Sequence, residues 1–198
     1  MRAATRRVFV AGPAGRIECA VDAPESAPVG GALIAHPHPL YGGTLDNKVV
    51  QTLARALLEL GYETWRPNFR GVGESEGAHN QGRGELEDLA AVLAEMKHER
   101  FVLAGFSFGA AMAVKLAAQS KPEKLILVGP AVTNYALPPV PAGTLVIHGE
   151  EDTTIPLAAV LEWARPQDLP VVLVPGADHF FGRKLHILRG IVSQRFSA

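Results

Sequence analysis

The sequence predicts an α/β protein, a three-layer αβα sandwich around a mostly parallel sheet of roughly eight strands. Three observations carry this. Short apolar runs such as residues 32–35 and 125–128 alternate with longer segments whose apolar residues recur every three or four positions. The first two strand-like runs follow each other with no helix between them, so the sheet opens antiparallel. Repeated β-α units then follow, which implies parallel strands covered by helices on both faces.

Residues 7–10 and 16–21 form the opening pair; Ile17, Cys19 and Val21 alternate as in a half-buried antiparallel strand. A loop at 24–30 leads to a strand at 32–35. Val49, Val50, Leu53, Leu57 and Leu60 share one helical face, with Asn47 as N-cap and Gly61 as the stop. A strand at 62–65 is followed by a glycine-rich loop over 66–84. Leu86, Leu89, Leu93 and Met96 mark the next helix, which is expected to run through His98. A strand at 101–104, a helix at 108–119 and strands at 125–128 and 144–148 come next. Leu157, Val160, Leu161 and Ala164 mark a helix, 171–174 a strand, and Leu185, Leu188 and Val192 the last helix.

Composition narrows the function classes. The 198 residues are expected to form a single domain, 1–198, long enough to bury a substantial core. With 19 basic and 20 acidic side chains and no block of like charge, neither a nucleic-acid nor a membrane-surface partner is expected. The lone Cys19 excludes an intrachain disulfide and reads as a core residue. A reducing cytoplasm is the expected compartment, since the basic N-terminal stretch lacks a signal peptide's apolar run.

Sheets of this kind place their sites at the C-terminal ends of the strands. Gly105-Phe106-Ser107-Phe108-Gly109 stands where a strand turns into a helix, the context of a G-x-S-x-G nucleophile elbow. Side chains at 105 and 109 would collide with neighbouring backbone, and the helix start behind Ser107 offers free N–H groups. After the strand ending at His148 comes Gly149-Glu150-Glu151-Asp152; after the one ending at Val174 comes Pro175-Gly176-Ala177-Asp178-His179-Phe180-Phe181. Serine needs a base, and the base an acid that fixes its tautomer. His179 is last in order and on a post-strand loop. Asp152 is preferred over Glu150 and Glu151 because the glutamates lie nearer the strand end.

The loop His36-Pro37-His38-Pro39-Leu40-Tyr41-Gly42-Gly43 follows another strand. An oxyanion needs two backbone donors. Phe108 supplies one; Pro37 and Pro39 have no N–H, so His38 is the first choice for the other and Leu40 the second. Leu40, Tyr41, Phe106 and Phe180 are the candidate substrate contacts, with Phe108, Tyr135 and Phe181 where they face the cleft. His36-x-His38 could also begin a metal site, but the nearby Asp-His pair usual in such sites is missing, so no metal and no cofactor is expected. Gly71, Gly73 and Gly77 miss the spacing of a phosphate-binding loop by one place.

HPHPLYGG, GFSFG, GEED and GADHFF, in this order at strand ends, resemble the α/β-hydrolase superfamily over nearly the whole chain. HPHPLYGGTLDNKVV, NFRGVGESEG and AGFSFGA resemble more narrowly a group of small bacterial serine hydrolases related to dienelactone hydrolases. The resemblance implies a triad of Ser107, Asp152 and His179. It departs in two ways: dienelactone hydrolase itself uses a cysteine nucleophile, and this chain lacks a cap. Lids in this superfamily usually follow the strand after the nucleophile helix, and here GPAVTNYALPPVPAG is too short and proline-rich to fold one. The expected function is hydrolysis of a small ester or thioester in an open site. A non-catalytic ligand receptor and an acyltransferase are the alternatives on the same fold, and a homodimer is left open.

Overall fold

The computed structural model describes residues 5–196. β1 (Arg6–Gly12) and β2 (Gly15–Asp22) form a hairpin, followed by β3 (Gly30–Ala35), α1 (Lys48–Glu59), β4 (Tyr62–Pro67) and α2 (Arg83–Met96). β5 (Phe101–Phe106), α3 (Phe108–Ser120), β6 (Lys124–Val128), β7 (Leu145–Gly149), α4 (Leu157–Ala164), β8 (Val171–Val174) and α5 (Leu185–Phe196) complete the chain. The eight strands lie in the order β1-β2-β4-β3-β5-β6-β7-β8. β1 with β2 and β2 with β4 are antiparallel; every other pairing is parallel.

The two-residue period of the strands divides the core between the sheet faces. Leu33, Leu103, Leu127 and Val146 meet α2 and α3 through Leu89, Val92, Met112 and Leu116. Their neighbours Ile34, Ala104, Ile126 and Ile147 meet α1 and α5 through Val50, Leu53, Leu57, Leu188 and Val192. Cys19 is fully buried among the first set. Burial pushes its thiol up to about 12, with Glu18 adding to the effect, so it stays protonated and unreactive.

The helix signals act as their chemistry requires. The Asn47 side chain accepts from Val49 and Val50 N–H at the start of α1, and Gly61 takes φ +90° just past its end. Two expectations need correction. His98 is not helical: Lys97 adopts a left-handed conformation that ends α2 at Met96, and His98 meets Glu63 at 3.1 Å. Leu161 faces outward, 40% exposed, because the short α4 buries only Val160 and Ala164.

The connection from β6 to β7 contains neither helix nor strand, so nothing covers the C-terminal strand ends there: the fold has no lid. The glycine-rich loop before α2 is held instead by a buried ion pair. Arg70 donates from Nε and Nη2 to Asp88 at 2.8 and 2.7 Å. Both side chains are under a tenth exposed. Asp88→Ala leaves a buried guanidinium without this partner, and we expect urea unfolding to show a loss of about 3 kcal/mol. An unchanged midpoint would mean that the exposed Glu87, 3.7 Å from Arg70, replaces Asp88.

Candidate active site

The chain reverses at the end of β5 with very little room. A Cβ on Gly105 would lie 2.5 Å from Ala110 N, and one on Gly109 would lie 2.5 Å from the His36 carbonyl oxygen and strike that of Ala35. Two glycines are therefore needed for α3 to start against the end of β3. Between them Ser107 takes φ 55° and ψ −115°, a conformation that costs a non-glycine residue about 1–3 kcal/mol. Neighbouring elements hold it there. Ser107 N–H donates to Val128 O (2.9 Å), and its carbonyl accepts from Ala111 and Ala131 N–H.

Asp152 and His179 meet at the ends of β7 and β8, against Gly129, the residue after the Val128 that Ser107 bonds. Asp152 Oδ1 accepts from Thr154 N–H (2.9 Å) and Ile155 N–H (2.8 Å), and its Oδ2 lies 2.6 Å from His179 Nδ1. Burial works to raise the Asp152 pKa, but the hydrogen bonds from His179 and the Ile155 N–H, together with the two nearby imidazoles, hold it below the usual carboxylate range. A charged Asp152 assigns the proton of this bond to His179 Nδ1 and leaves Nε2 with a lone pair. The His179 ring packs on Phe106 with centroids 4.8 Å apart. Gly129 also adjoins the ring: a Cβ there would come 3.3 Å from His179 Cε1.

The competing acids are placed elsewhere. Glu150 accepts from Gly176 N–H at 2.8 Å and so ties together the loops after β7 and β8, while Glu151 is exposed. His148, in β7, is fully buried; its Nε2 donates to Ile155 O at 3.0 Å, which braces the Asp152 turn from below. Burial lowers its pKa, so this ring is neutral.

The loop after β3 is anchored by His36. Its Nε2 accepts from Phe69 N–H (3.0 Å) and its Nδ1 lies 2.6 Å from Pro37 O. Both ring nitrogens of His36 are engaged within the protein. Burial pushes its pKa down to about 4. His38 caps a short 3-10 turn over Pro39–Tyr41, and its Nδ1 accepts from Leu40 N–H at 3.2 Å. The second-choice oxyanion donor is thus already engaged. The backbone N–H groups of His38 and Phe108 have no acceptor among the described residues.

A cavity of about 230 Å³ is lined by His38, Tyr41, Ser107, Phe108, Asn134 and Tyr135, with Ala131, Thr154 and Ile155. Of the sequence-predicted substrate contacts, Phe181 is fully buried, and Tyr41, Phe108 and Tyr135 line this cavity. Leu40 is 68% exposed outside it, and Phe106 is fully buried beneath His179, because β5 turns alternate residues to opposite faces of the sheet. Phe180 is exposed and lines a different cavity of about 270 Å³, with Lys48, Val49, Arg183 and Leu185. A third, about 300 Å³, lies between Arg7, Gln51 and Arg66 and touches none of these groups. Sequence reasoning missed Gly129, Asn134, Thr154 and Ile155; only the glycine, following a strand, carried a signal.

A family model described as the α/β-hydrolase fold matches residues 40–143. The chain belongs to the α/β-hydrolase family. An uncharacterized protein of Rickettsia prowazekii is 32% identical to this hydrolase over 90% of this chain and 83% of its own. Among solved structures, a serine hydrolase of Xanthomonas campestris described as having no lid is 36% identical, with a TM-score of 0.89 over 98% of this chain and 94% of that one. A serine hydrolase homologue of Coxiella burnetii is 37% identical, with a TM-score of 0.87 and all of both chains covered.

The neutral His36 gives the hydrolase a pH-dependent stability. Its folded pKa is about 4 against an ordinary 6.5, so between these values the unfolded chain binds a proton that the folded one does not. Stability should fall by about 3 kcal/mol as pH drops from 6.5 to 4, and the slope should flatten in His36→Gln. Denaturant titrations at several pH values check this; an equal slope in the variant would assign the effect to other groups. The buried Cys19 should stay unmodified by a thiol reagent at pH 8 and react fully once urea unfolds the chain.

Proposed function

We propose that this hydrolase cleaves carboxylic esters or thioesters through an acyl-enzyme on Ser107. What chiefly supports the reading is the 2.6 Å His179–Asp152 pair at the same end of the sheet as a serine held in a left-handed elbow. Ser107 Oγ attacks the carbonyl carbon while His179 Nε2 takes its proton. Asp152, ionised and fixed by two backbone N–H groups, stabilises the imidazolium. The carbonyl oxygen becomes an oxyanion that receives the free N–H groups of Phe108 and His38.

Collapse of this intermediate breaks the bond to the leaving oxygen or sulphur, which receives the proton from His179. Water then enters, gives its proton to His179, attacks the acyl carbon and releases the acid as Ser107 recovers its proton. The first cavity, next to Ser107 and of limited volume, suits a short acyl group with Tyr41 and Tyr135 at its sides. No helix among the described residues is long and apolar enough to cross a membrane, and we assign the enzyme to the cytoplasm. Its substrate is a small molecule.

Short para-nitrophenyl esters and a fluorophosphonate probe test this. The wild-type chain should be labelled at Ser107 and hydrolyse the esters in the presence of a strong chelator. Ser107→Ala should lose labelling and at least about a thousandfold in kcat/KM, and Asp152→Asn should lose a comparable factor in kcat. Hydrolysis by Ser107→Ala at the wild-type rate would overturn the assignment.

A further inference from the structure

The proton that His179 returns goes to the leaving atom, so the leaving group lies on the His179 side of Ser107. The residue after His179, Phe180, walls a cavity of about 270 Å³, which brings that cavity next to the imidazole. The Phe180 ring meets the His179 ring at 5.2 Å between centroids, yet 58% of the residue remains exposed. Val49 and Leu185 extend this apolar surface, and Lys48 and Arg183 flank it.

Neither cationic side chain has an ion-pair or hydrogen-bond partner among the described residues, as is also true of Arg55, Lys121 and Arg165, but these two face one cavity together. No acidic side chain lines the cavity. The acids adjoining it along the chain are engaged: Asp46 receives Arg7 at 3.2 Å, and Asp178 accepts from Gly182 N–H at 2.9 Å. The cavity beside Ser107 carries no lysine or arginine at all. Lys115 stands over the ring of Tyr135 at 5.2 Å on the Ser107 side, whereas Lys48 and Arg183 themselves line the cavity next to the exposed Phe180 ring.

We propose that Lys48, Arg183 and Phe180 form a binding site for an anionic leaving group, and that the preferred substrate is an ester or thioester whose alcohol or thiol portion carries an apolar part and a negative charge. The inference rests on Ser107 chemistry as proposed above. The charged group takes no part in bond making: the leaving oxygen or sulphur departs with the His179 proton, and the anion stays paired with the two cations.

Two acetate esters that differ in the leaving group alone provide the test: para-acetoxybenzoate, whose leaving group is anionic, and its neutral methyl ester. The wild-type enzyme should favour the anionic ester by about tenfold in kcat/KM, the scale of two partly screened charge contacts. The ratio should fall towards one in the double variant Lys48→Glu, Arg183→Glu, and in about 1 M salt. A second pair, para-nitrophenyl hemiglutarate and para-nitrophenyl valerate, puts the charge on the acyl side and should show no such preference. Reading ratios within each enzyme removes any effect of the substitutions on folding.

A wild-type ratio within about twofold of one, or a ratio unchanged in the double variant, would overturn the proposal. An equal preference for hemiglutarate would also overturn it, since charge would then be sensed in general and not at the leaving group. Cleavage of neutral esters without charge preference sinks this inference alone. Failure to cleave any ester sinks the Ser107 reading, and this inference with it.

Discussion

The close approach of the end of β3 to the start of α3 is the constraint on which the site depends. Gly109 sits against the carbonyls of Ala35 and His36, and Gly105 against Gly109 and Ala110. This contact removes the space for side chains at both positions and forces Ser107 into its left-handed turn. The same turn aims its N–H at Val128 and its carbonyl at Ala131, which fixes the start of the loop after β6. Gly129 in that loop then packs on the His179 ring. One steric condition thus positions a hydroxyl, a strand connection and one side of an imidazole.

Electrostatics completes what sterics begins. Each histidine around the site is held in a defined state by what its nitrogens meet. His179 faces a carboxylate that two backbone N–H groups keep ionised, so its Nδ1 carries the proton. His36 lies between a carbonyl and an N–H, which suits only the neutral ring with the proton on Nδ1. His148 is buried and donates to the backbone of the Asp152 turn. Three imidazoles of one intrinsic basicity thus serve three purposes: one is poised at the serine's end of the sheet, one locks a loop and one supports an acid.

The open top of the molecule follows from the short β6–β7 connection. With no lid, a substrate must be recognised by strand-end loops alone. Those loops differ in character: one cavity carries hydroxyl, amide and aromatic groups, and the other carries two cations and an exposed phenyl ring. The asymmetry arises from sheet order. β5 places Ser107 centrally, the loops of β6 and β7 lie on one flank, and the start of α1 packs with α5 on the opposite face.

The strands, the helices, the absence of a lid and the positions of Ser107, Asp152 and His179 at strand ends were legible in the sequence. They depend on local patterns: period-two and period-four apolarity, the glycines at 105 and 109, and chain order. Other outcomes depended on tertiary contacts that no local pattern encodes. Glu150 and Asp152 are both carboxylates that spacing from the strand end only ranks, and in the structure Gly176 N–H reaches the first while His179 reaches the second. Phe106 and Phe180 look alike as aromatic neighbours of the site; the pleat buries the first and a loop exposes the second. Leu40 offers an N–H on paper that His38 takes up in space. Sequence determined which groups reach the strand ends, because that follows from spacing along one chain. Tertiary structure decided which of them meet, because hydrogen bonds and cavities are formed by segments far apart in that chain.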